Sequence, residues 1–412
     1  MPDANAPFQP LFDRLNQHSK LALAVSGGPD STALMWLAAQ WAKTHGKLDS
    51  LYVLTIDHGL REAAPQDARQ VCKWAKALGL QCNILSWQHD GPTSGIQEKA
   101  RAGRYQLMAN WCRDNGFDGV VTAHHRDDQA ETMLMRLARG SGVDGLSAMA
   151  GRSEIFGLAV YRPLLEVSPD DLQQVLKNAG HDWLEDPANQ NEQFERVRVR
   201  GSMTAIENAG VDSQALGLSA KRLRRARSAL ETMTDRFMAD GVTVFETGHC
   251  EVDRATFEAQ PDEICLRTLN RLIMWAGGGK IAVRMAKVER LLETLDTSNK
   301  HTLAGAQIAM RKNMFVIGRE FGRIVPDLQR QVHVWDNRFI FNDTQNVQPY
   351  GLFIDQAPHQ RPQSLPHFVA CSLPAFFDQT GKFTIPHLER TTAGMIHLSS
   401  LPEGIVKVPI GV

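Results

Sequence analysis

The chain has 412 residues, enough for two or three domains with their own cores. Its 45 Lys+Arg against 46 Asp+Glu give a net charge of -1, which excludes an overall basic protein, so any nucleic-acid surface must be a local patch. No apolar run is long enough to span a bilayer, and the first residues, Met1 to Asn5, show neither the basic nor the apolar region of a signal peptide. The six cysteines (Cys72, Cys82, Cys112, Cys250, Cys265 and Cys371) include no Cys-x-x-Cys pair. Zinc, iron–sulfur and redox chemistry are therefore disfavoured, and buried thiols in a cytoplasmic protein are expected.

The first element is the apolar run Leu21 to Val25, a buried-strand pattern, followed by Ser26-Gly27-Gly28-Pro29-Asp30-Ser31 and then a helical stretch from Thr32 to Trp41. A glycine-rich turn between strand and helix lets the backbone approach a ligand. The free N–H groups of the first helical turn, with the helix dipole, favour an anion there. Ser26 and Ser31 add hydroxyls, and Asp30 is placed to hold Mg²⁺ or a ribose. A Gly-Gly pair alone would be an ordinary turn; six consecutive fitting residues between strand and helix favour a phosphate site. No Lys-Ser/Thr follows, so the loop is not of the Walker type.

Leu51 to Ile56 reads as a second strand, ending in Asp57-His58-Gly59-Leu60-Arg61. A helix follows over Gln66 to Leu78, a third strand over Cys82 to Leu85, and a helix over Ile96 to Arg113 that carries Arg101, Arg104 and Tyr105. A fourth strand, Val120 to Ala123, runs into His124-His125-Arg126-Asp127-Asp128-Gln129-Ala130-Glu131-Thr132 and a helix to about Arg139. Strands alternating with helices predict an α/β fold, a parallel doubly wound sheet with helices on both faces. Ligands in such sheets sit at the carboxyl ends of the strands, so one cleft can hold the Gly-Gly loop, Asp57-His58 and His124-His125. Asp128 and Glu131 share a helix face. Acids at a helix start satisfy the dipole in any case. Following two histidines at a strand end, they also suit an amino-acid ammonium or Mg²⁺ between phosphates.

Arg196, Arg198 and Arg200 precede a second basic run, Lys221, Arg222, Arg224, Arg225 and Arg227. The latter lies on a helix whose apolar seam is Leu223, Ala226, Leu230, Met233 and Phe237. A solvated face is the common meaning of such a run, but in a chain of near-zero net charge this concentration favours a phosphate-contacting surface. Further helices are expected over Leu266 to Ala276 and Val283 to Leu295, parted by the turn Gly277-Gly278-Gly279, and a hairpin over Thr302 to Ile317. From about residue 326 short strands and Pro/Gly turns take over: Val332 to Trp335, Phe339 to Phe341, and Ala375 to Ile385 across Gln379-Thr380-Gly381.

The Ser-Gly-Gly-x-Asp-Ser loop resembles the PP-loop of the N-type ATP pyrophosphatases, which cleave ATP between the α and β phosphates. The set becomes narrower with Asp57-His58-Gly59-Leu60-Arg61, with His124-His125-x-Asp127-Asp128-Gln129-x-Glu131-Thr132, with Arg162-Pro163-Leu164-Leu165 and with Glu185-Asp186-Pro187-x-Asn189. In this order, over roughly residues 20 to 200, it resembles the tRNA(Ile)-lysidine synthetase family. That family usually continues Arg-Asn-x-x-Arg; Arg196 and Arg200 fit, while Val197 stands in place of the Asn.

The resemblance implies ATP-dependent ligation of free L-lysine to carbon 2 of the wobble cytidine in the CAU anticodon of tRNA(Ile). The reaction passes through an adenylated tRNA and switches its identity from Met to Ile. It implies ATP binding by Ser26, Gly27, Gly28, Pro29, Asp30, Ser31, Asp57 and His58, with Asp30 a candidate Mg²⁺ ligand and Asp30, Ser31 and Arg101 catalytic. Lysine falls to Asp128 and Glu131, and tRNA to Arg196, Arg200, Arg222, Arg224 and Arg225. The expected layout is a catalytic domain over 1–205, a mostly helical tRNA-binding domain over 206–325 and a β-rich appendage over 326–412, in a cytoplasmic protein compatible with a homodimer. The alternative is another PP-loop tRNA-modifying enzyme such as a cytidine thiolase. The cysteines argue against it, since none lies in the loop or in a Cys-x-x-Cys pair to carry sulfur.

Overall fold

The structure is a computed structural model that describes residues 6–57, 59, 63–87, 96–185, 195–279, 283–295, 298–311, 313–324, 331–356, 365–377, 383–385, 387, 396–398 and 407–408. Chain packing divides it into two compact units, Met1–Arg227 and Ser228–Val412.

The first unit alternates strands and helices: β1 (Leu21–Ala24), α1 (Pro29–Thr44), β2 (Leu51–Asp57), α2 (Ala64–Ala77), β3 (Gln81–Ser86), α3 (Ile96–Asn115), β4 (Gly119–Val121) and α4 (Arg126–Leu137). A short α5 (Val143–Leu146) leads to the hairpin β5 (Arg152–Ile155) and β6 (Leu158–Tyr161), then α6 (Pro169–Ala179), α7 (Glu195–Asn208) and α8 (Ser213–Gly241). The sheet order is β3-β2-β1-β4-β6-β5, parallel except for β5, which runs against β6. This is the doubly wound sheet that the sequence predicts.

Side-chain alternation explains the two layers. Leu21 and Leu23 of β1, Val53 of β2 and Val121 of β4 point to one face, where they pack with Leu34, Trp41, Val71 and Leu172. Ala22, Leu54 and Val120 point to the other, against Tyr105, Met108, Ala109 and Cys112 of α3. A period of two residues fills both faces, as a parallel sheet covered by helices requires. Because β2 and β3 lie on one side of β1 and β4 on the other, winding reverses between β1 and β4. That is the switch point where such sheets open a crevice at the strand carboxyl ends.

The start of α8 belongs to this unit because Leu216 and Ala220 pack on Ala130 and Met133 of α4 and on Ala148. The cysteine expectation needs correction at one place. Cys72 on α2 and Cys82 on β3 form a disulfide, with Cα atoms 5.3 Å apart. Helix and strand are joined by a tight turn, which returns the chain to bring two residues separated by 10 into bonding range. Cys112, Cys250, Cys265 and Cys371 are buried free thiols as expected.

The second unit contains β7 (Val242–Phe245), β8 (Cys250–Asp253), α9 (Arg254–Glu258), α10 (Asp262–Ala276), α11 (Met285–Thr294), β9 (Lys300–Leu303), β10 (Ala306–Arg311) and β11 (Met314–Arg319). Then come β12 (Gln331–Trp335), β13 (Phe339–Pro349), α12 (His367–Cys371), β14 (Pro374–Phe377), β15 (Phe383–Thr384), β16 (Ile396–Leu398) and β17 (Lys407–Val408). One sheet has the order β17-β7-β8-β11-β10-β9, and the other runs β12-β13-β14-β15 with β16 on β13. Within 206–325 the helices α8 to α11 alternate with the strands β7 to β11. The hairpin β7–β8 escapes sequence reading because each strand has only four residues, two of them facing the core. The expected β10–β11 hairpin forms, and Gly277 ends α10 as the glycine turn predicts. Gln379-Thr380-Gly381 lies outside the described residues. No described helix is long and apolar enough to cross a membrane.

Candidate functional site

The site is built at the crevice between β1 and β4. The loop after β1 turns through Gly27, whose φ of +94° disfavours any side chain. A Cβ there would also stand 2.6 Å from Leu184 Cδ1. Leu184 lies over this turn and donates its N–H to the Gly27 carbonyl at 2.8 Å. Gly28 is the N-cap of α1 and Pro29 occupies the first turn, where its missing N–H costs nothing. The Ser31 hydroxyl organises the loop. It accepts from Ser26 N at 3.1 Å and Gly27 N at 3.2 Å, and donates to Gly28 O at 3.1 Å. Thr32 Oγ1 donates to Gly27 O at 3.0 Å. The loop is therefore held open by its own hydrogen bonds, with the α1 N-terminus facing the crevice.

On the other side, β4 ends at Val121, and Thr122 and His124 follow. His124 Nδ1 and Thr122 Oγ1 are 2.8 Å apart. Burial, with the positive charges of Arg162, Arg101 and Arg196, pushes the His124 pKa down to about 2, so the ring is neutral. His125 is the N-cap of α4. Its Nδ1 accepts the Asp128 amide at 3.4 Å while Asp128 Oδ2 accepts the His125 amide at 3.0 Å, a capping box made by a histidine and an aspartate. The other ring nitrogen, Nε2, stands 3.6 Å from both Asp30 Oδ2 and Asp128 Oδ2. Burial alone would lower the His125 pKa. The Asp30 hydrogen bond and the charges of Asp128, Asp30 and Asp127 outweigh it and raise the pKa above the ordinary value. His125 thus ties the loop after β1 to the start of α4.

The two histidines give opposite pH dependences. His124 binds its proton only in the unfolded chain between pH 6.5 and about 2, so acidification through that window destabilises the fold. His125, raised in the fold, stabilises below its unfolded pKa, and that contribution is lost as pH rises through its folded value. Denaturant midpoints between pH 7 and 5.5 should fall less steeply in His124→Gln than in the wild type. Identical slopes would mean that His124 is not a buried neutral ring.

Between these walls lies a cleft of about 410 Å³. Its lining includes Ser26, Gly28, Pro29, Asp30 and Ser31 from the loop, Arg101, Arg104 and Tyr105 from α3, His124 and Asp128, and Leu184 and Glu185. The volume is that of an ordinary small-ligand site. Behind Asp128 is an ion-pair cluster. Arg196 donates from Nη2 to Asp128 Oδ1 at 2.6 Å and from Nε to Glu131 Oε2 at 2.5 Å, and Arg200 Nε reaches Glu131 Oε1 at 2.7 Å. The Glu131 side chain is only 2% exposed.

A PP-loop domain family matches residues 2–207, the part of the chain that builds this cleft. Over 335 residues the chain is 41% identical to a tRNA(Ile)-lysidine synthase from Bradyrhizobium sp. strain BTAi1, covering 76% of this chain and 93% of the relative. The chain belongs to the tRNA(Ile)-lysidine synthase family. Other members include those of Wolbachia pipientis wMel, 35% identical over 85% of this chain and 83% of the relative, and Orientia tsutsugamushi strain Boryong, 30% identical over 93% and 90%. The match to the latter runs far into the second unit, where sequence motifs are weak.

Of the residues that the resemblance names, Ser26, Gly28, Pro29, Asp30, Ser31, Arg101 and Asp128 line one crevice, and Gly27 turns the loop that carries the first five. Glu131 lies one turn further along α4, behind Asp128. Asp57 ends β2, but its carboxylate accepts the Gly59 amide at 3.1 Å, and it is not among the cleft-lining residues. His58 lies outside the described residues. Arg222 and Arg225 are exposed on α8. Arg224 is half-buried and donates to the carbonyls of Ser147 at 2.9 Å and Met149 at 3.2 Å, a structural contact that holds α8 on the first unit. Leu184 carries no distinctive sequence signal, and while the sequence marks His124, it does not show that the ring is neutral. The first is an ordinary leucine until the fold lays it on Gly27, and the second depends on arginines from three separate segments.

Proposed function

We infer that the protein ligates free lysine to carbon 2 of the wobble cytidine in tRNA(Ile) bearing a CAU anticodon, using ATP to activate the base as an adenylated intermediate and giving lysidine. The observation that carries this reading is a single crevice in which a phosphate-type loop and a carboxylate pair adjoin, in a chain covering nearly the whole length of relatives so named. ATP use follows from the PP-loop family.

In this reading the amides at the α1 N-terminus and the Ser26 and Ser31 hydroxyls hold the pyrophosphate that departs. Arg101 and Arg104 face the same space and stabilise the negative charge that develops. His125 holds Asp30 and Asp128 in fixed relation. The amine of lysine is its own nucleophile, so no covalent intermediate with the protein is needed. Asp128 and Glu131 serve the ammonium of lysine. Mg²⁺ fits Asp30: its carboxylate is one-third exposed at the loop, and Mg²⁺ commonly takes one or two carboxylates and completes its shell from phosphates and water. Among the described residues there is no group of three or more acidic, histidine or cysteine side chains that could cage a metal. When bound, Mg²⁺ would neutralise phosphate charge.

Segments after residue 205 select the tRNA in this reading, with the exposed Arg222 and Arg225 as phosphate contacts. The location implied is the cytoplasm, where tRNA and free lysine meet, and either a monomer or a homodimer is compatible with it. Incubation with tRNA(Ile) transcript, ATP and radiolabelled lysine tests the reading: label should enter acid-insoluble RNA only when ATP is present. No incorporation by folded, ATP-binding protein would reject it.

The tRNA surface has its own test. Arg222→Glu with Arg225→Glu should weaken tRNA binding and lower its salt slope by roughly one to two, because each neutralised phosphate releases counterions. Arg224 is left intact, since its carbonyl contacts make it part of the fold. An unchanged salt slope would make the run a solvated face.

A further inference from the structure

Arginines around the cleft are held in two different ways. Arg196 and Arg200 are paired with Asp128 and Glu131. Arg101 is exposed on the cleft wall made by α3, and among the described residues no carboxylate pairs with it. Its guanidinium lies instead over the ring of Tyr105, with Cζ 5.3 Å from the ring centroid. The two residues are one helical turn apart, the spacing at which side chains on a helix meet. A ring face attracts a cation without occupying any of its N–H donors. Arg101 therefore keeps its charge and its donors for an anion in the cleft, whereas a carboxylate would take up both.

Tyr105 is a rigid support for that contact. It is only 6% exposed and packs with Ala22, Leu54, Val120 and Val160, the residues that β1, β2, β4 and β6 turn toward α3. Its hydroxyl lies beside the guanidinium of Arg162, which is as deeply buried. Arg162 is itself tied down, donating from Nη1 to the Ala150 carbonyl at 3.0 Å and to Ser153 Oγ at 2.9 Å. Burial pushes the Arg162 pKa below its usual value, and Tyr105 opposes that shift. A buried cation needs a polar neighbour, and the phenol oxygen is one. The ring is thus fixed on its faces by the core and at its hydroxyl by Arg162. The segment Arg162-Pro163-Leu164-Leu165, singled out in the sequence, reaches the cleft through this ring.

We propose that Tyr105 is a positioning residue for the adenylation step: its ring holds the Arg101 guanidinium where negative charge develops on the phosphates, and Arg162 fixes the ring. The proposal rests on the reading of Arg101 given above and adds what holds that side chain in place. A long, exposed arginine loses considerable rotamer freedom when it settles on one anion. The Tyr105 ring removes much of that freedom before ATP arrives. A charge fixed in advance is what stabilises a transition state without reorganisation during the reaction.

A double-mutant cycle of Arg101→Ala and Tyr105→Leu tests this, read as the rate of pyrophosphate release by the full-length protein at saturating ATP, Mg²⁺ and tRNA(Ile) transcript of CAU anticodon. Rates are referred to the folded fraction measured by circular dichroism. Tyr105→Leu should lower kcat roughly threefold to thirtyfold, the span of cation–π contacts. In the Arg101→Ala background the same change should cost little more, because the ring then has nothing to hold. Tyr105→Phe keeps the ring face and should recover most of the rate lost in Tyr105→Leu. Should Tyr105→Leu not fold, Tyr105→Met fills the same space with a flexible chain and completes the cycle. Losses that multiply in the double variant would mean that Tyr105 meets the substrate directly or supports only the fold, and would overturn the proposal. So would Tyr105→Phe as slow as Tyr105→Leu, or Tyr105→Leu as fast as the wild type while Arg101→Ala is slow. A wild-type rate in Arg101→Ala would reject the role of Arg101 itself, and the proposal with it.

Discussion

Ser31→Ala is expected to lower ATP-dependent pyrophosphate release by roughly a hundredfold to a thousandfold, the usual cost of removing one preorganised donor from a site where negative charge develops. The expectation follows from what the hydroxyl does in the fold. It accepts from the amides of Ser26 and Gly27 and donates to the carbonyl of Gly28, so one small group sets the shape of the loop. Alanine leaves the Ser26 and Gly27 amides to find other partners, at about 1–3 kcal/mol for a group left buried and unpaired, while the Gly28 carbonyl keeps the Thr32 N–H at 3.0 Å. The fold should survive, because the packing of α1 comes from Ala33, Leu34, Leu37 and Trp41, which Ser31 does not support. Far-UV circular dichroism should stay close to wild type, with the thermal midpoint lowered by several degrees, while pyrophosphate release collapses. Wild-type release in Ser31→Ala would remove the loop from the chemistry.

Asp128→Asn is expected to separate the two half-reactions. Asp128 lines the cleft, whereas Glu131 sits behind it at 2% exposure, so Asp128 is the acid that a ligand meets first. Losing one charged hydrogen bond to a small amino acid costs roughly 1.5–3 kcal/mol, about tenfold or more in affinity. The lysine concentration needed for transfer should rise by at least that factor, while adenylated tRNA still forms and accumulates at low lysine. The amide oxygen can still accept from the His125 N–H, so the α4 cap is largely retained. If adenylation fails instead, at saturating Mg²⁺ and with unchanged lysine dependence, Asp128 serves the metal or the phosphates and not lysine.

Much of the first unit is legible in the sequence because local signals agree with the fold. Leu21 to Val25 followed by Gly27-Gly28 and an apolar helix leaves little choice but strand, turn and helix. The crevice follows from the strand order once His124 and Ser26 are placed at strand ends. What escapes is whatever depends on partners distant in sequence. Arg196 and Arg200 look like a phosphate-binding pair in the sequence. Only the fold shows that they lie against Asp128 and Glu131, more than sixty residues away. Arg224 looks like its neighbours Arg222 and Arg225, yet within one turn of α8 it faces carbonyls while they face solvent. The hairpin β7–β8 is missed because two inward residues per strand give no clear period. Cys72 and Cys82 are ten residues apart, and only the return from α2 into β3 brings them together.

The measurement that bears most directly on this account is the chemical identity of the wobble nucleoside. Nuclease digestion and mass spectrometry of tRNA(Ile) transcript, after incubation with the protein, ATP, Mg²⁺ and lysine, should show lysidine in place of the wobble cytidine. One pyrophosphate and one AMP should appear per nucleoside converted. A thiolated cytidine, an unmodified cytidine despite ATP turnover, or a lysine adduct formed without ATP would contradict it.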